Sequence, residues 1–500
     1  MKNSLSLFTA LFIFLISSVN TISQWQPDVR LSNDLGSSFS SNSNSWSIAA
    51  NGNIVHVAWV DRPSGQFAQI YYKRSTDGGI TWGDDVHITH GTWFFTGDPS
   101  IAVAGSDVYI SFIYNHYMSD DLFCWHSTDA GVSWIGNPGL IAFNKRKQTT
   151  MSASGSGIHI ISPHNDNFLY YIRSINDGFN WSDIFVLIDS TGHPDNPSVG
   201  TNGLNVHLVW NDSRDGNNEI YYKHSTDGGD NWTSDTRLTN NPASSTNPCA
   251  GVLGPFVHVV WQDNRDGNYE IYYKRSTDNG TTWGPDTRLT ISSDSSCSPS
   301  ISVSNSHVHV GWQDKRDGNW EIYYKQSSDE GVTWSADTRL TNNSAVSQLP
   351  SLAASGPSVH VLWTDTRDGS TEIYYKRNPT GNPEGIVNIN SEIPKSFSVS
   401  QNYPNPFNPS TKIRFSVPDN VSPLYARPRM NPSGERGAGG FITLSVYDVL
   451  GRQVSSLVSE NLKPGTYEVD WNASNFPSGV YYYKLSAGST TQTKKMVLIK

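Results

Sequence analysis

The sequence predicts an all-β chain, a ring of seven four-stranded units followed by a small β-sandwich of immunoglobulin-like type. Three observations carry this. A block starting at Val206 recurs at Val257, Val308 and Val359, 51 residues apart each time. Within each block, short aromatic and β-branched runs are bounded by Gly, Asn, Asp and Pro. From about Ile393 the repeat gives way to a different alternation of strands.

The four regular copies begin VHLVWNDSRDGNNEIYYK at Val206, VHVVWQDNRDGNYEIYYK at Val257, VHVGWQDKRDGNWEIYYK at Val308 and VHVLWTDTRDGSTEIYYK at Val359. Weaker copies start at Val55 (VHVAWVD), Val108 (VYISFIY) and Ile158 (IHIISPH), which makes seven. Each holds four strand-like runs of the types PSIAV, VHVxW, EIYYKRS and DTRLT. A four-stranded antiparallel unit leaves an apolar face uncovered, so copies must pack on one another, and this repeat length with four strands predicts a β-propeller blade. The last copy stops at Asn378 without its fourth strand, whereas QPDVRLSND from Gln26 matches the missing piece. That N-terminal strand is expected to complete the seventh blade and close the ring, which removes the exposed sheet edges that invite aggregation. The expected organisation is a leader over 1–23, a propeller over 24–378, a linker over 379–392 rich in Asn, Pro and Gly, and a C-terminal domain over 393–500.

Leader and composition bound the function. Lys2, the apolar run LSLFTALFIFLI from Leu5, and Thr21 and Ser23 before Gln24 read as a secretory signal cut after Ser23. No later run reaches the length of a membrane span, so no transmembrane segment is expected in the mature chain. The 500 residues hold 17 Trp, 23 Tyr and 41 Gly with only 16% charged residues, which favours ordered β structure over disorder. A net charge of −10 and the lack of a basic stripe exclude nucleic acid as a partner. Cys124, Cys249 and Cys297 are too few for a disulfide framework, with at most a Cys249–Cys297 pair open, and no metal-ligand spacing or cofactor motif occurs. The sequence does not address the oligomeric state.

Six octads link the third and fourth runs: STDGGITW, STDAGVSW, SINDGFNW, STDGGDNW, STDNGTTW and SSDEGVTW, ending at Trp82, Trp134, Trp181, Trp232, Trp283 and Trp334. In each, Ser and Asp or Asn side chains can accept backbone N–H bonds in a tight turn, Gly supplies positive φ and Trp covers the turn. Asp77, Asp129, Asn176, Asp227, Asp278 and Asp329 therefore read as structural. The octads resemble the Asp boxes, or BNR repeats, of sialidase-like propellers. That resemblance implies glycan chemistry, but the Arg-Ile-Pro motif of sialidases is absent, and seven blades replace their usual six, so no catalytic residue is carried over.

The C-terminal stretch carries Tyr403-Pro404-Asn405-Pro406-Phe407-Asn408-Pro409, Tyr447-Asp448 with Gly451-Arg452, Gly465-Thr466-Tyr467, Gly479-Val480-Tyr481 and a Lys-rich last strand. It resembles the type A sorting domain of type IX secretion cargo. The resemblance implies the type IX machinery as a partner and delivery to the medium or outer surface of a Gram-negative bacterium. The segment 419–440 interrupts two strands that are normally close and reads as a loop of unassigned role.

Functional residues are expected on the face opposite the octads. There, four loops repeat Arg214, Arg265, Arg316 and Arg367 among acids, either as scaffold ion pairs or as sugar- or carboxylate-binding sites using bidentate guanidinium contacts. Departures from the repeat point to blades 2 and 3, where His116, Tyr117, Asp120, His164, Asp166 and Arg146 are catalytic candidates and Trp93 and Phe94 are ligand-stacking candidates; Trp320, in the copy that starts at Val308, is a further stacking candidate because it lies outside the repeated Trp positions. The repeated His56, His159, His207, His258, His309 and His360 read as packing residues. The favoured function is a glycan-binding or interaction module, with a surface polysaccharide as partner. The alternatives are a sialidase-like hydrolase or polysaccharide lyase, and a structural adhesin.

Overall fold

The computed structural model describes residues 20–22, 25–33, 36–41, 46–63, 67–89, 95–116, 119–142, 149–164, 166–379, 386–390, 393–419, 440–462, 464–473, 476–488 and 490–500. Every regular element among them is a β-strand. The chain separates into two compact units, Gln24–Pro383 and a second formed by Met1–Ser23 with Glu384–Lys500.

The first unit contains seven antiparallel sheets, numbered 1 to 7 in chain order and spanning 48–87, 95–142, 150–189, 195–237, 245–288, 296–339 and 347–378. In sheet 5 the strands are Ser245–Leu253, Phe256–Asp263, Glu270–Ser276 and Thr287–Arg288, each paired with the next. Sheet 1 takes an extra strand, Ser37–Phe39, on its second strand. The first strands pack successively from sheet 1 to sheet 7, and that of sheet 7 packs back on that of sheet 1, so the sheets form a closed cycle.

Closure uses the N-terminus. Val29–Arg30 pairs with Tyr374 and Tyr375 as the fourth strand of sheet 7. It brings the same polar set that the outer strands of sheets 4 to 6 carry. Asp28 binds Arg367 at 2.7 Å and Lys376 at 2.8 Å, as Asp286 binds Arg265 and Lys274 in sheet 5. Arg30 reaches buried Glu372 at 2.7 Å, and Ser32 donates to it at 2.6 Å. Trp25 arrives with this strand and packs edge-on against Tyr324 of sheet 6 at 4.9 Å, the place that the octad Trp holds at other seams. The alignment of WQPDVRLS with WSADTRLT at Trp334 contains that role, and the count of octad tryptophans misses it.

Between sheets, one contact recurs. His258 Nδ1 on the second strand of sheet 5 meets the Tyr273 hydroxyl on the third at 2.7 Å. That hydroxyl sits in a socket made by Gly331 of the next octad, where a Cβ would lie 1.8 Å from it. Trp334 then stacks edge-on at 4.9 Å. The same triple appears at Tyr72, Tyr171, Tyr222 and Tyr375. The octad Gly must be Gly on two grounds: Gly331 has φ of 84°, and no side chain fits under the tyrosine. Inside the octad, Asp329 accepts from the Thr333 amide at 2.8 Å, and Ser327 accepts from Gly331 N–H at 2.8 Å.

In the second unit, a five-stranded sheet and the four-stranded sheet ordered Gln453–Leu462, Gly440–Tyr447, Gly479–Ala487, Thr490–Leu498 share one core that includes Phe407, Ile413, Trp471 and Tyr483. The segment read as a linker contains a strand, Ile386–Asn390, at which Asn20–Ile22 pairs. The rest of the leader, and the segment 420–439, lie outside the described residues. Cys249 and Cys297 do not pair. Cys249 lies opposite Val260, three repeat positions away from Cys297, which lies opposite Gln313, and both thiols are free.

Two outcomes are expected. Replacing Trp25 by Ala removes the closing-strand anchor of a nearly buried ring and should cost about 3–5 kcal/mol in chemical denaturation. Burial lowers His56 to a pKa of about 4 and His159, His207, His258, His309 and His360 to about 3. Unfolding therefore takes up protons below the ordinary histidine pKa of about 6.5. Stability is fully present above that value and falls as pH drops towards 3, so the melting temperature measured from pH 7 to pH 4 should decline steeply.

Candidate ligand site

The hairpins between second and third strands share a face with the links between sheets, as when Ser296 N–H donates to Tyr269 O at 2.7 Å and Lys315 N–H to Ser295 O at 3.1 Å. In sheets 4 to 7 these hairpins repeat one network. Asp263 is fully buried at the end of its strand and accepts from Arg265 Nη2 at 2.6 Å, Ser245 Oγ at 2.7 Å and Trp261 Nε1 at 3.1 Å. Burial opposes ionisation of Asp263, but the Arg265 and Ser245 donors outweigh it and hold the carboxyl below the usual range. Arg265 also binds Asp286 at 2.8 Å, and its guanidinium lies 4.3 Å from the Tyr272 ring centre. Arg214, Arg316 and Arg367 do the same with Asp212 and Asp235, Asp314 and Asp337, and Asp365 and Asp28. Buried Glu270 gathers Arg288 at 2.9 Å, Asn268 at 3.2 Å and the Ser292 amide at 2.9 Å. Trp320 is half-buried, and its carbonyl accepts from Ser347.

A second tie was not anticipated. The residue after the strand Trp reaches the next sheet: Gln262 Oε1 accepts Ser298 N–H at 3.0 Å and Gln313 Oε1 accepts Leu349 N–H at 2.9 Å. These amides hold bulges where Ser298 and Leu349 have φ of 52° and 55°. The signal was present as Asn211, Gln262 and Gln313 at one repeat position, where Val60, Ile113 and Pro163 stand in sheets 1 to 3.

Sheets 2 and 3 replace the network. Register puts Tyr114 and His164 where the buried Asp stands elsewhere, and Asp166 where the Arg stands. In sheet 3 an imidazole thus stands at the acid position and a carboxylate at the Arg position. His164 Nδ1 lies 2.7 Å from Asp166, and the Tyr170 hydroxyl donates to Asp166 at 2.9 Å. Burial works against ionised Asp166, but Tyr170 and His164 prevail and lower its pKa. On sheet 2, burial and then Asp121 raise the pKa of Asp120. Two carboxyls on hairpins of adjacent sheets are therefore pushed in opposite directions. Trp93, Phe94, Tyr117 and Arg146 lie outside the described residues, as does the side chain of His116. Among the described residues no cluster of His, Cys, Asp or Glu is placed to hold a metal ion.

Residues 401–500 match the family model described as a secretion system C-terminal sorting domain. The chain is exported by type IX secretion, to the cell surface or the medium. Comparison with curated proteins gave no match. Among solved structures, an ulvan lyase bound to -[GlcA(1-4)Rha3S]- is 11% identical with a TM-score of 0.50, covering 69% of this chain and 95% of its own. The polysaccharide lyase Uly1 is 10% identical with a TM-score of 0.49, covering 72% of this chain and 100% of its own. The NanB sialidase of Streptococcus pneumoniae is 12% identical with a TM-score of 0.39, covering 73% of this chain and 72% of its own. At such identity, the ulvan lyase shows a shared propeller fold and no more.

Arg265→Ala should leave Asp263 buried without its cation and cost about 3–5 kcal/mol in urea unfolding. A cost under 1 kcal/mol would mean that the guanidinium is not needed to hold the hairpin.

Proposed function

We propose that this chain is a seven-bladed Asp-box propeller delivered by its sorting domain, acting as a glycan-binding or interaction module. Its site lies on the hairpin face of sheets 2 and 3. One observation carries this reading: His164 stands where the regular hairpins have a buried acid, and Asp166 where they have Arg. In the regular sheets each hairpin Arg is held by two acids and a tyrosine face, which leaves it little freedom to recognise a ligand. In sheet 3 the exposed hairpin position carries a carboxylate instead, supported by an imidazole and a phenol. Carboxylates placed beside aromatic rings suit hydroxyl pairs of a saccharide, with hydrogen bonds to the acid and stacking on the ring. Asp120 and Asp166 of adjacent sheets form the proposed recognition surface.

A second reading, a glycan-degrading enzyme, is favoured by the opposite displacement of the Asp120 and Asp166 pKa values. A carboxyl pushed towards its acid form on one sheet and one pushed towards its ionised form on the next is the direction of separation that acid–base chemistry uses. The secreted protein should be applied to a glycan array and to screens for reducing-sugar and unsaturated-uronate release. Asp166→Asn and His164→Ala should each weaken glycan binding by roughly tenfold or more, as expected for a lost charge-assisted hydrogen bond. Product release abolished by His116→Ala would replace the binding reading with the enzymatic one. Absence of both binding and release would leave the structural adhesin.

A further inference from the structure

We infer that the ring has one compliant seam, between sheets 2 and 3, and that it runs beneath the proposed ligand site. This inference rests on the placement of that site only for its functional meaning.

Five seams carry the full His–Tyr–Gly–Trp contact, and the seam from sheet 6 to sheet 7 carries His309, Tyr324 and Trp25. At the seam from sheet 2 to sheet 3 the pair is missing. The second strand of sheet 2, Asp107–His116, has Tyr109 at the histidine position, and the third, Ser119–Ser127, has Cys124 at the tyrosine position. The receiving half is intact. Gly178 keeps φ of 82°, the value of Gly79 and Gly280, and Trp181 follows it. No hydroxyl enters this socket: the nearest atoms to a Cβ on Gly178 are Ile158 Cδ1 at 3.4 Å and Tyr109 Cε1 at 3.7 Å.

Three further ties fail at the same place. Arg74, Arg275 and Arg377 reach carbonyls of the next octad at 3.0, 2.6 and 3.0 Å, but sheet 2 has His126 there, bound to Asp107 of its own sheet at 2.8 Å. Lys274 and Lys325 reach back to Leu238 O and Leu289 O, each at 2.5 Å, whereas sheet 3 has Ile172 at that position. Ile113 stands where Gln262 and Gln313 bridge sheets. Meanwhile the Tyr109 hydroxyl is fully buried with no hydrogen-bond partner, a cost that the repeated pair avoids.

Ties near the ring axis persist: Met151 N–H donates to Ser100 Oγ at 3.2 Å, and Ser111 Oγ lies 3.1 Å from Thr149 Oγ1. Sheets 2 and 3 are thus joined at their inner strands and by apolar packing around Ile113, Leu122, Ile160 and Ile172 farther out. Apolar contact is non-directional and tolerates small slips that hydrogen bonds resist. The seam can hinge about its inner strands, changing the separation of the hairpins that carry Asp120 and His164.

Hydrogen exchange on the full secreted chain, without any glycan, tests this apart from the ligand reading. Amides of the third strands that flank this seam, Ser119–Ser127 and Phe168–Ser174, should exchange roughly tenfold faster than those of Glu270–Ser276 and Glu321–Ser327 at the sheet 5 to 6 seam. Tyr109→His with Cys124→Tyr, which restores the histidine–tyrosine pair facing Gly178, should remove that difference. The reciprocal His258→Tyr with Tyr273→Cys should create fast exchange at the sheet 5 to 6 seam. Equal rates in the unaltered protein would overturn the inference, as would rates that neither exchange changes.

Discussion

The ring depends on a hydroxyl placed where no side chain could be. Each locking tyrosine is fixed by a histidine on its own sheet and enters the space above an octad glycine of the next. Burial of the pair keeps the histidine neutral, so the contact adds no charge to the interior. A neutral hydrogen bond, a steric socket and an edge-on indole together set the distance and rotation between neighbours. Because ring closure requires the seven rotations to sum to a full turn, this contact governs the shape of the whole unit.

The polar hairpins on the opposite face serve the same end by a different route. Four buried acids at strand ends would be severely destabilising if unpaired. Each is answered by an arginine two residues later in its own hairpin, and that arginine is in turn anchored to the outer strand. The N-terminal strand supplies the last such anchor through Asp28, so closure is electrostatic as well as a matter of β pairing. Where sheets 2 and 3 abandon this arrangement, the buried acid and its arginine are replaced by Tyr114 in sheet 2 and by His164 and Asp166 in sheet 3, and the histidine–tyrosine pair that locks one sheet to the next is missing between them as well.

Much of this was legible in the residues. The 51-residue spacing and period-two alternation define the repeated units because strand patterning is local. The missing fourth strand at Asn378 and its match at Gln26 point to closure for the same reason. The repeated histidines could be assigned to packing, but not to tyrosine partners, since the partner stands on another strand. Cys249 and Cys297 do not pair because they stand three positions apart in the repeat, and three positions along a strand move a side chain about 10 Å. Trp25 escaped notice because its role is defined by Tyr324, a residue far along the chain that becomes its neighbour only when the ring closes.

Sequence alone determined the all-β class, the repeat, the closing strand and the sorting domain, since each is written in contiguous or regularly spaced residues. It also placed the search at sheets 2 and 3, where the repeat breaks. Tertiary structure decided what those breaks mean. That Arg265 is held by Asp263 and Asp286, that Asp166 meets His164 and Tyr170 in place of the regular hairpin's Asp and Arg, and that Tyr109 leaves its hydroxyl unpaired all depend on which side chains meet. Such meetings depend on register, glycine φ and the stacking of separate sheets, quantities that no single strand carries in its own sequence.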